Sequence, residues 1–278
     1  MVSPRLVVPP AGSGRPEPGR PGIGFFCQDV SCSFPSQRGS ITALDGVSFN
    51  ARPSEFICVV GPSGCGKSTL LRIIAGLVEP SSGRVMFDGE VPSGHPLGGL
   101  VVQENGTFPW MTVLDNVAFG LEMQGIGRAE RRERARVFLD RVGLSQFAGY
   151  YPHELSVGMR QRVGIGRAFV ADAPLLLMDE PFGSLDAQTR WVLQGELLRI
   201  WNAQRKLVVF VTHDIEEAVL LGDRVLVMTG RPGRIREEIR VPLERPRDPR
   251  RDHKTLSEIS GHVWHLLEEE VRSSLSMR

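Results

Sequence analysis

The run GPSGCGKST, residues 61–69, constrains the fold of this chain more than any other feature. It follows FICVV, a short apolar segment rich in β-branched residues, which predicts a buried strand. It precedes LLRIIAG, in which leucine and isoleucine recur at helical spacing. Because glycine adopts backbone conformations that other residues resist, the N–H groups of such a loop can turn inward around an anion at the helix start. A strand, a glycine-rich loop and a helix in this order predict a nucleotide triphosphate site.

The loop also supplies side chains suited to a triphosphate and its metal. Lys67 can reach the β- and γ-phosphates, and Ser68 can ligate Mg²⁺. A glycine-rich turn with a solvated lysine is the alternative, but it does not explain the flanking strand and helix. The predicted nucleotide-binding residues of the loop are Gly61, Pro62, Ser63, Gly64, Cys65, Gly66, Lys67, Ser68 and Thr69.

Composition limits the classes of function. The 278 residues are 41% hydrophobic and 23% charged, which suits one large or two small soluble globular units. The formal net charge is +1, so no overall attraction to nucleic acid is expected, and we predict no nucleic-acid partner. No apolar run approaches the roughly 20 residues that span a bilayer, and prolines and glycines interrupt the N-terminus, which excludes a signal-peptide core. A membrane role would therefore need a partner.

The four cysteines form no CxxC pair and no second cluster that would complete a zinc site, which fits a reducing compartment. Cys65 differs from the others because it lies in the phosphate loop near a helix start, a place that can lower the pKa of a thiol. One hypothesis is that Cys65 is sensitive to alkylation and protected by the nucleotide. The alternative is a small residue that simply fits the loop.

The order of segments predicts an α/β fold. Residues 1–22 are dense in Pro, Gly and Arg and predict a disordered leader. Residues 24–49 predict a small antiparallel sheet, and residues from about 104 to 158 have a helical pattern. Apolar strands that alternate with helices predict a parallel sheet covered by helices; they are FICVV, LLLMD, LVVFVT and RVLVMT. Residues 244–278 start polar and end in an amphipathic helix.

Polar residues follow three of the predicted strands, at the sheet edge where open α/β folds bind ligands. Asp179 suits an outer-shell or water-mediated role at Mg²⁺, and Glu180 suits polarising an attacking water. Taken alone, this acidic pair would serve equally well as a helix N-cap with a first-turn acid. His213 follows another strand and is a candidate γ-phosphate contact, whereas Gln103 is a candidate contact to metal or water, with solvated surface as its alternative.

The segment HELSVGMRQRVGIGRA resembles the signature sequence, usually LSGGxxxR, of the ATP-binding cassette (ABC) family. The order of motifs over about residues 24–230 is also that of the family: the phosphate loop, Gln103, the signature at residues 155–161, LLLMDEP, SLD at residues 184–186, and His213. An aromatic residue, Phe34, stands where the family stacks adenine. The resemblance implies a P-loop NTPase (RecA-like) core with a parallel sheet, an antiparallel β subdomain and an inserted α-helical subdomain at about residues 104–158. The nucleotide-binding domain would span residues 23–243.

The resemblance further implies a head-to-tail dimer that holds ATP between the phosphate loop of one copy and the signature of the other. Ser156 and Gly158 would then contact the γ-phosphate across the dimer, and Asp186 would couple the two sites. The implied catalytic residues are Glu180, His213, Lys67 and Gln103, and the implied metal residues are Ser68, Gln103 and Asp179, with ATP and Mg²⁺ as cofactors. The implied partners are a membrane permease and, indirectly, a periplasmic or lipid-anchored substrate-binding protein. The subunit would lie on the cytoplasmic face of the cell membrane.

Finer details resemble the ATPases of nitrate, sulfonate, taurine and bicarbonate importers, above all the RPGRI element in MTGRPGRI, residues 228–235. We therefore expect an importer ATPase for a small oxyanion or organosulfonate. The alternatives are an ABC importer ATPase for another small solute, a soluble ABC ATPase of DNA repair or translation, and a non-catalytic switch. The soluble classes usually carry a long coiled-coil insertion or a second cassette, and neither is present in this sequence.

The sequence departs from the family pattern in the signature region. Val157 replaces the first glycine of the signature, and its β-branched side chain is expected to reduce ATPase activity. Gly164 and Gly166 stand in the following helix, where interior glycines cost about 1 kcal/mol each relative to alanine. Close packing on the sheet would explain both glycines.

Overall fold

The structure, a computed structural model, describes residues 23–36, 39–88, 98–102, 106–171, 173–183 and 185–276. The predicted leader at residues 1–22, Gln103 and Ser184 lie outside the described residues. In chain order the strands are β1 (Gly24–Ser36), β2 (Gly39–Ala51), β3 (Phe56–Val60), β4 (Ser82–Asp88), β5 (Gly98–Val101), β6 (Leu175–Asp179), β7 (Leu207–Val211), β8 (Arg224–Met228) and β9 (Ile235–Arg240). The α-helices are α1 (Lys67–Ile74), α2 (Val113–Met123), α3 (Arg128–Arg141), α4 (Val157–Val170), α5 (Ala187–Gln204), α6 (Ile215–Leu221) and α7 (His253–Ser276). The described residues divide into two units, the first within residues 1–91 and 213–278 and the second within residues 92–212.

The first unit contains an antiparallel sheet in the order β2-β1-β4. A second group of strands pairs β3 with β8 in parallel and β8 with β9 in antiparallel. Every residue of β3 and β8 is buried. Apart from Arg224 at the start of β8, both strands are continuous apolar runs with no polar face to present to water. Helix α6 packs on β3, and α7 packs on α6.

Buried arginines attach the segment after β9 to the first unit. The Arg247 guanidinium donates to the carbonyl oxygens of Leu220 at 2.9 Å and Gly222 at 2.6 Å, at the C-terminus of α6. Burial lowers the pKa of Arg247 to about 10, which still leaves it charged at neutral pH. Arg245 pairs with Asp223 at 2.8 Å. A cation at a helix C-terminus satisfies carbonyls that would otherwise lack donors, so the start of the predicted tail is packed.

The second unit is built on three parallel strands, β5, β6 and β7, in that order. Leu175 of β6 is opposite Leu207 of β7, and the pairing runs in register to Asp179 and Val211. Helices α2, α3 and α4 pack together. The indole of Trp201, which is fully buried, donates to the carbonyl oxygen of Lys206 at 2.7 Å and closes the end of α5 onto β7.

The predicted fold class is confirmed: the chain has parallel strands with helices, a separate antiparallel sheet and a group of helices between β5 and β6. The predicted domain boundaries at residues 23, 104, 158 and 243 stay predictions.

Candidate functional site

The phosphate loop, residues 61–66, joins the buried end of β3 to the start of α1 in the first unit. Gly64 has φ +74° and Gly66 has φ +104°, in the left-handed region that side-chain-bearing residues avoid. Gly66 is also the N-cap of α1 and offers no side-chain oxygen to the first turn. The N-terminal N–H groups of α1 therefore lack a side-chain cap, which is the arrangement that binds a phosphate.

Lys67 is 6% exposed, and its ammonium lies on the inner side of this loop. Nζ donates to the carbonyl oxygens of Gly61 at 2.8 Å and Pro62 at 3.0 Å. Ser68 and Thr69 follow in the first turn of α1 and are half-buried. The ammonium is thus held within the loop by two backbone carbonyls, and it would exchange them for an incoming phosphate.

The surroundings of Cys65 contradict the hypothesis that its thiol is reactive. The side chain is 1% exposed. Burial raises the pKa of the Cys65 thiol above its ordinary value, and the nearby Lys67 ammonium only partly opposes this effect. The helix start therefore does not make this thiol acidic, because loss of solvent outweighs the favourable charge. The alternative interpretation, a small residue that fits the loop, agrees with the structure.

The RPGRI element packs against the phosphate loop. The sequence did not predict this contact. Arg231 donates to the Gly64 carbonyl oxygen, from Nε at 3.2 Å and from Nη2 at 3.1 Å. A Cβ added to Gly233 would overlap the Cys65 carbonyl oxygen. The only signal in the sequence was the motif itself, which indicated a branch of the family and gave no contact.

In the second unit, Asp179 ends β6 and Glu180 follows it. Glu180 has φ +45°, which is uncommon for a residue with a side chain and costs about 1–3 kcal/mol. Its N–H donates to the Val211 carbonyl oxygen at 2.9 Å, and its carbonyl accepts from Gly183 N–H at 3.1 Å. These bonds hold the strained backbone and thereby set the direction of the Glu180 Cα–Cβ bond. Strain of this kind is concentrated at functional sites.

Two further predicted residues, His213 and Phe34, belong to the first unit. His213 comes two residues after β7, is exposed, and precedes the N-cap of α6, Asp214, which accepts from Glu217 N–H at 3.0 Å. Phe34 lies near the end of β1, opposite Ile41 of β2, and its ring is 41% exposed. An exposed aromatic on a sheet is suited to stacking on a base.

The signature residues line an open groove of about 250 Å³ in the second unit. Ser156 is the N-cap of α4 and accepts from Met159 N–H at 3.3 Å, while Val157, the first helical residue, is 46% exposed. Asp186, the N-cap of α5, lines the same groove, and hydrogen bonds from Thr189 hold the pKa of Asp186 below its ordinary value. The structure thus brings Ser156, Gly158 and Asp186 together. It also adds Arg162 and Thr189 to the groove, neither of which was predicted.

Comparison with known proteins decides the family. A family model described as ABC transporter matches residues 44–183. The chain belongs to the ABC transporter family. This ABC chain is 50% identical to an ABC transporter ATP-binding protein of Methanocaldococcus jannaschii, over 84% of this chain and 88% of that protein. It is 46% identical to the nitrate import ATP-binding protein of Synechocystis sp. (77% of this chain, 81% of the relative). It is 50% identical to the taurine import ATP-binding protein of Burkholderia pseudomallei (75% and 80%).

Solved structures agree with this ABC assignment. A bacterial ABC transporter cassette solved as a dimer is 31% identical to this chain, with a TM-score of 0.70 over 79% of this chain and all of that one. The same cassette was also solved as a dimer in a post-hydrolysis state with ADP and Pi. The predicted membership among ABC transporter ATPase subunits is confirmed. The role of each predicted site residue stays a prediction.

Proposed function

We propose that this chain is the ATP-hydrolysing subunit of an importer for a small oxyanion or organosulfonate. The observation that carries the proposal is the similarity, at 46% and 50% identity, to a nitrate import and a taurine import ATP-binding protein. The loop between β3 and α1 supports it, because its uncapped helix start and its buried lysine suit the phosphates of ATP.

The residues of the phosphate loop bind and orient the nucleotide. The N–H groups of the loop cradle the α- and β-phosphates, and Lys67 moves from its carbonyl partners to the β- and γ-phosphates. Phe34 stacks on the adenine. The left-handed backbone at Gly64 and Gly66 keeps the cradle formed before ATP arrives, so binding costs little reorganisation.

A hydroxyl in the first turn of α1, that of Ser68, suits Mg²⁺ held jointly with the nucleotide. Among the described residues, no group of three or more His, Cys, Asp or Glu side chains could hold a metal by itself. Mg²⁺ is typically bound through one or two side chains plus substrate phosphates, and Ser68 would serve as such a side chain. The predicted metal contact of Gln103 and the outer-shell or water-mediated role of Asp179 stay predictions. When bound, Mg²⁺ neutralises charge on the β- and γ-phosphates.

Hydrolysis needs an oriented water. Glu180 orients or polarises this water, and the hydrogen bonds of its backbone fix the point from which the side chain extends. His213 contacts the γ-phosphate and senses its presence. The groove of Ser156, Gly158 and Asp186 receives the γ-phosphate of ATP bound to a second copy, so that ATP closes a head-to-tail dimer.

The transport partners follow from the importer relatives. No described helix is both long enough and apolar enough to cross a bilayer. We propose that the subunit docks on a membrane permease from the cytoplasmic face, and that the region after Gln103 contributes to the docking. That region presents Trp110, which is 70% exposed beside Phe108, and aromatic side chains are frequent anchors of interfaces.

The test combines turnover with trapping of the dimer. We expect the full chain to release phosphate from ATP, and Glu180→Gln to lose most turnover while keeping ATP affinity. Because the bound ATP then persists, Glu180→Gln with ATP should run as a dimer in size-exclusion chromatography with light scattering. Glu258→Gln, an exposed acid on α7, is the matched control. A monomer for Glu180→Gln with ATP would refute the mechanism.

The cargo class needs a separate measurement in cells. Uptake of labelled nitrate and labelled taurine is compared in cells that lack this gene and are complemented with either the wild-type gene or the Glu180→Gln variant. Uptake of one of these solutes that depends on the wild-type gene supports the proposal. If neither uptake depends on it, nitrate and taurine are excluded as cargo and the proposed cargo class loses its support.

A further inference from the structure

Two consecutive peptide groups of the phosphate loop are contacted from outside by one segment, residues 229–234. The Gly64 carbonyl accepts two hydrogen bonds from the Arg231 guanidinium, at 3.1 and 3.2 Å. The next carbonyl, that of Cys65, packs directly against Gly233, where a Cβ would overlap it. The segment therefore covers the outer face of the loop at two successive positions.

These contacts determine which way the loop N–H groups point. In a trans peptide the C=O and the N–H lie on opposite sides, so an outward Gly64 carbonyl sends the Cys65 N–H inward. The Cys65 N–H donates to the Pro62 carbonyl oxygen at 3.3 Å, and the same oxygen accepts from Lys67 Nζ. This N–H therefore faces the side of the loop on which the Lys67 ammonium lies. The Gly66 N–H belongs to the peptide that Gly233 covers. Inward backbone N–H groups of such a loop cradle the α- and β-phosphates.

The segment is itself held at both ends. On one side, Gly233 N–H donates to the Ala43 carbonyl at 2.9 Å, and Asp45 N–H donates to the Gly233 carbonyl at 3.0 Å. Arg234 also forms an ion pair with Asp45.

On the other side, Gly230 N–H donates to the Glu270 carboxylate of α7 at 3.0 Å. Glu270 also accepts from Arg236 at 2.8 Å. A chain of direct contacts thus runs from the C-terminal helix to the phosphate loop within the first unit.

We propose that Arg231 is a positioning residue for nucleotide binding and that Glu270 holds its segment in place. This inference rests on the proposed function, because it assumes that the loop binds ATP. Arg231 acts through the Gly64 peptide and does not itself contact the nucleotide. Its loss should leave the loop free to rotate that peptide, and binding would then have to reorder it.

The experiment measures the binding of ATP, ADP and adenosine to the full chain by isothermal titration calorimetry, with Mg²⁺ present. Arg231→Ala should weaken ATP and ADP by the same factor, about fivefold, which is about 1 kcal/mol at 1.4 kcal/mol per tenfold. Adenosine affinity should not change, because it has no phosphate to meet the loop. Arg231→Lys should recover most of the loss, since both arginine donors share the Gly64 carbonyl oxygen and an ammonium can still donate to it.

Matched controls separate positioning from general damage. Arg250→Ala removes an exposed arginine of the same unit and should leave the affinities for ATP and ADP unchanged. Glu270→Ala should weaken ATP and ADP in the same direction as Arg231→Ala. Glu268→Ala on the same helix, which pairs with Arg272 at 2.7 Å, should not.

The outcomes are distinguishable. If Arg231→Ala binds ATP and ADP as tightly as the wild type does, the inference is overturned and the proposed function stays intact. A loss that is accompanied by a lower Tm of the nucleotide-free chain and is not rescued by Arg231→Lys would also overturn it. Absence of ATP binding by the wild-type chain would overturn the proposed function itself, and the inference with it.

Discussion

Replacement of glycine by alanine is expected to have opposite effects on stability at two positions of helix α4, Gly164 and Gly166. A Cβ at Gly166 would lie 2.5 Å from Cε1 and 2.7 Å from Cδ1 of Phe138 in helix α3. A Cβ at Gly164 would meet nothing within 4 Å outside its own helix backbone. Close packing therefore explains Gly166, through α3 and not through the sheet, and it does not explain Gly164.

The magnitudes follow from two terms. Replacing glycine by alanine inside a helix stabilises it by about 1 kcal/mol, and Gly164→Ala should gain this in full. Gly166→Ala gains the same amount but overpacks the contact with Phe138, which costs about 1–3 kcal/mol. Phe138 is only 5% exposed, so its ring has little room to move. The two variants should thus differ by about 1–3 kcal/mol, with Gly164→Ala the more stable.

The assay is thermal unfolding of the full chain, supported by urea unfolding. At about 2–4 °C per kcal/mol for a chain of this size, Gly164→Ala should raise Tm and Gly166→Ala should fall roughly 2–12 °C below it. Adding Phe138→Leu to Gly166→Ala should recover part of the loss, and a double-mutant cycle measures this coupling. A Tm for Gly166→Ala equal to or above that of Gly164→Ala would refute the reasoning.

Two further predictions concern the groove and the phosphate loop. Val157→Gly should raise ATP turnover about fivefold, or about 1 kcal/mol, since it removes an exposed branched side chain from the groove that faces the second nucleotide. Val157→Ala should be intermediate, and an unchanged rate in the assembled transporter would contradict the idea. Cys65 should react slowly with iodoacetamide near pH 7.5, because burial raises its pKa and keeps the thiol protonated, and the rate should climb only well above the ordinary thiol pKa of about 8.5. Fast labelling of the folded chain near neutral pH would contradict this, with labelling in urea as the reference.

The strands were predictable because their pattern is local. FICVV coincides with β3 and LLLMD coincides with β6, since an apolar run of only five residues is too short for a typical helix and favours a buried strand. The polar residues at the strand ends, such as Asp179 and Glu180, could be predicted for the same reason, because they directly follow these runs in the sequence. The strained backbone of Glu180 could not be predicted, because no propensity favours a left-handed glutamate; the hydrogen bond to Val211 of the neighbouring strand holds it.

The groove was predictable only through the family resemblance. Ser156 and Asp186 are 30 positions apart by their numbers, and neither spacing nor periodicity brings them together. They meet because each caps a helix and the two helix starts line one groove. Arg162 and Thr189 belong to the same groove, and they were missed because helical arginines and threonines carry no motif.

The phosphate loop shows where a motif stops being informative. Gly64 is needed for its dihedral angle, but Gly66 is needed twice, because a Cβ there would also lie 2.7 Å from both the Ala43 carbonyl oxygen and Leu44 Cδ2. In the sequence motif both positions are simply glycine, so the motif does not distinguish the need for a positive φ from the additional lack of space at Gly66. The chemistry of the ligand can be inferred from the loop alone, whereas its rigidity depends on tertiary contacts such as that of Arg231, which is 167 positions away from Gly64. Nucleotide affinity should therefore respond to substitutions far outside the motif.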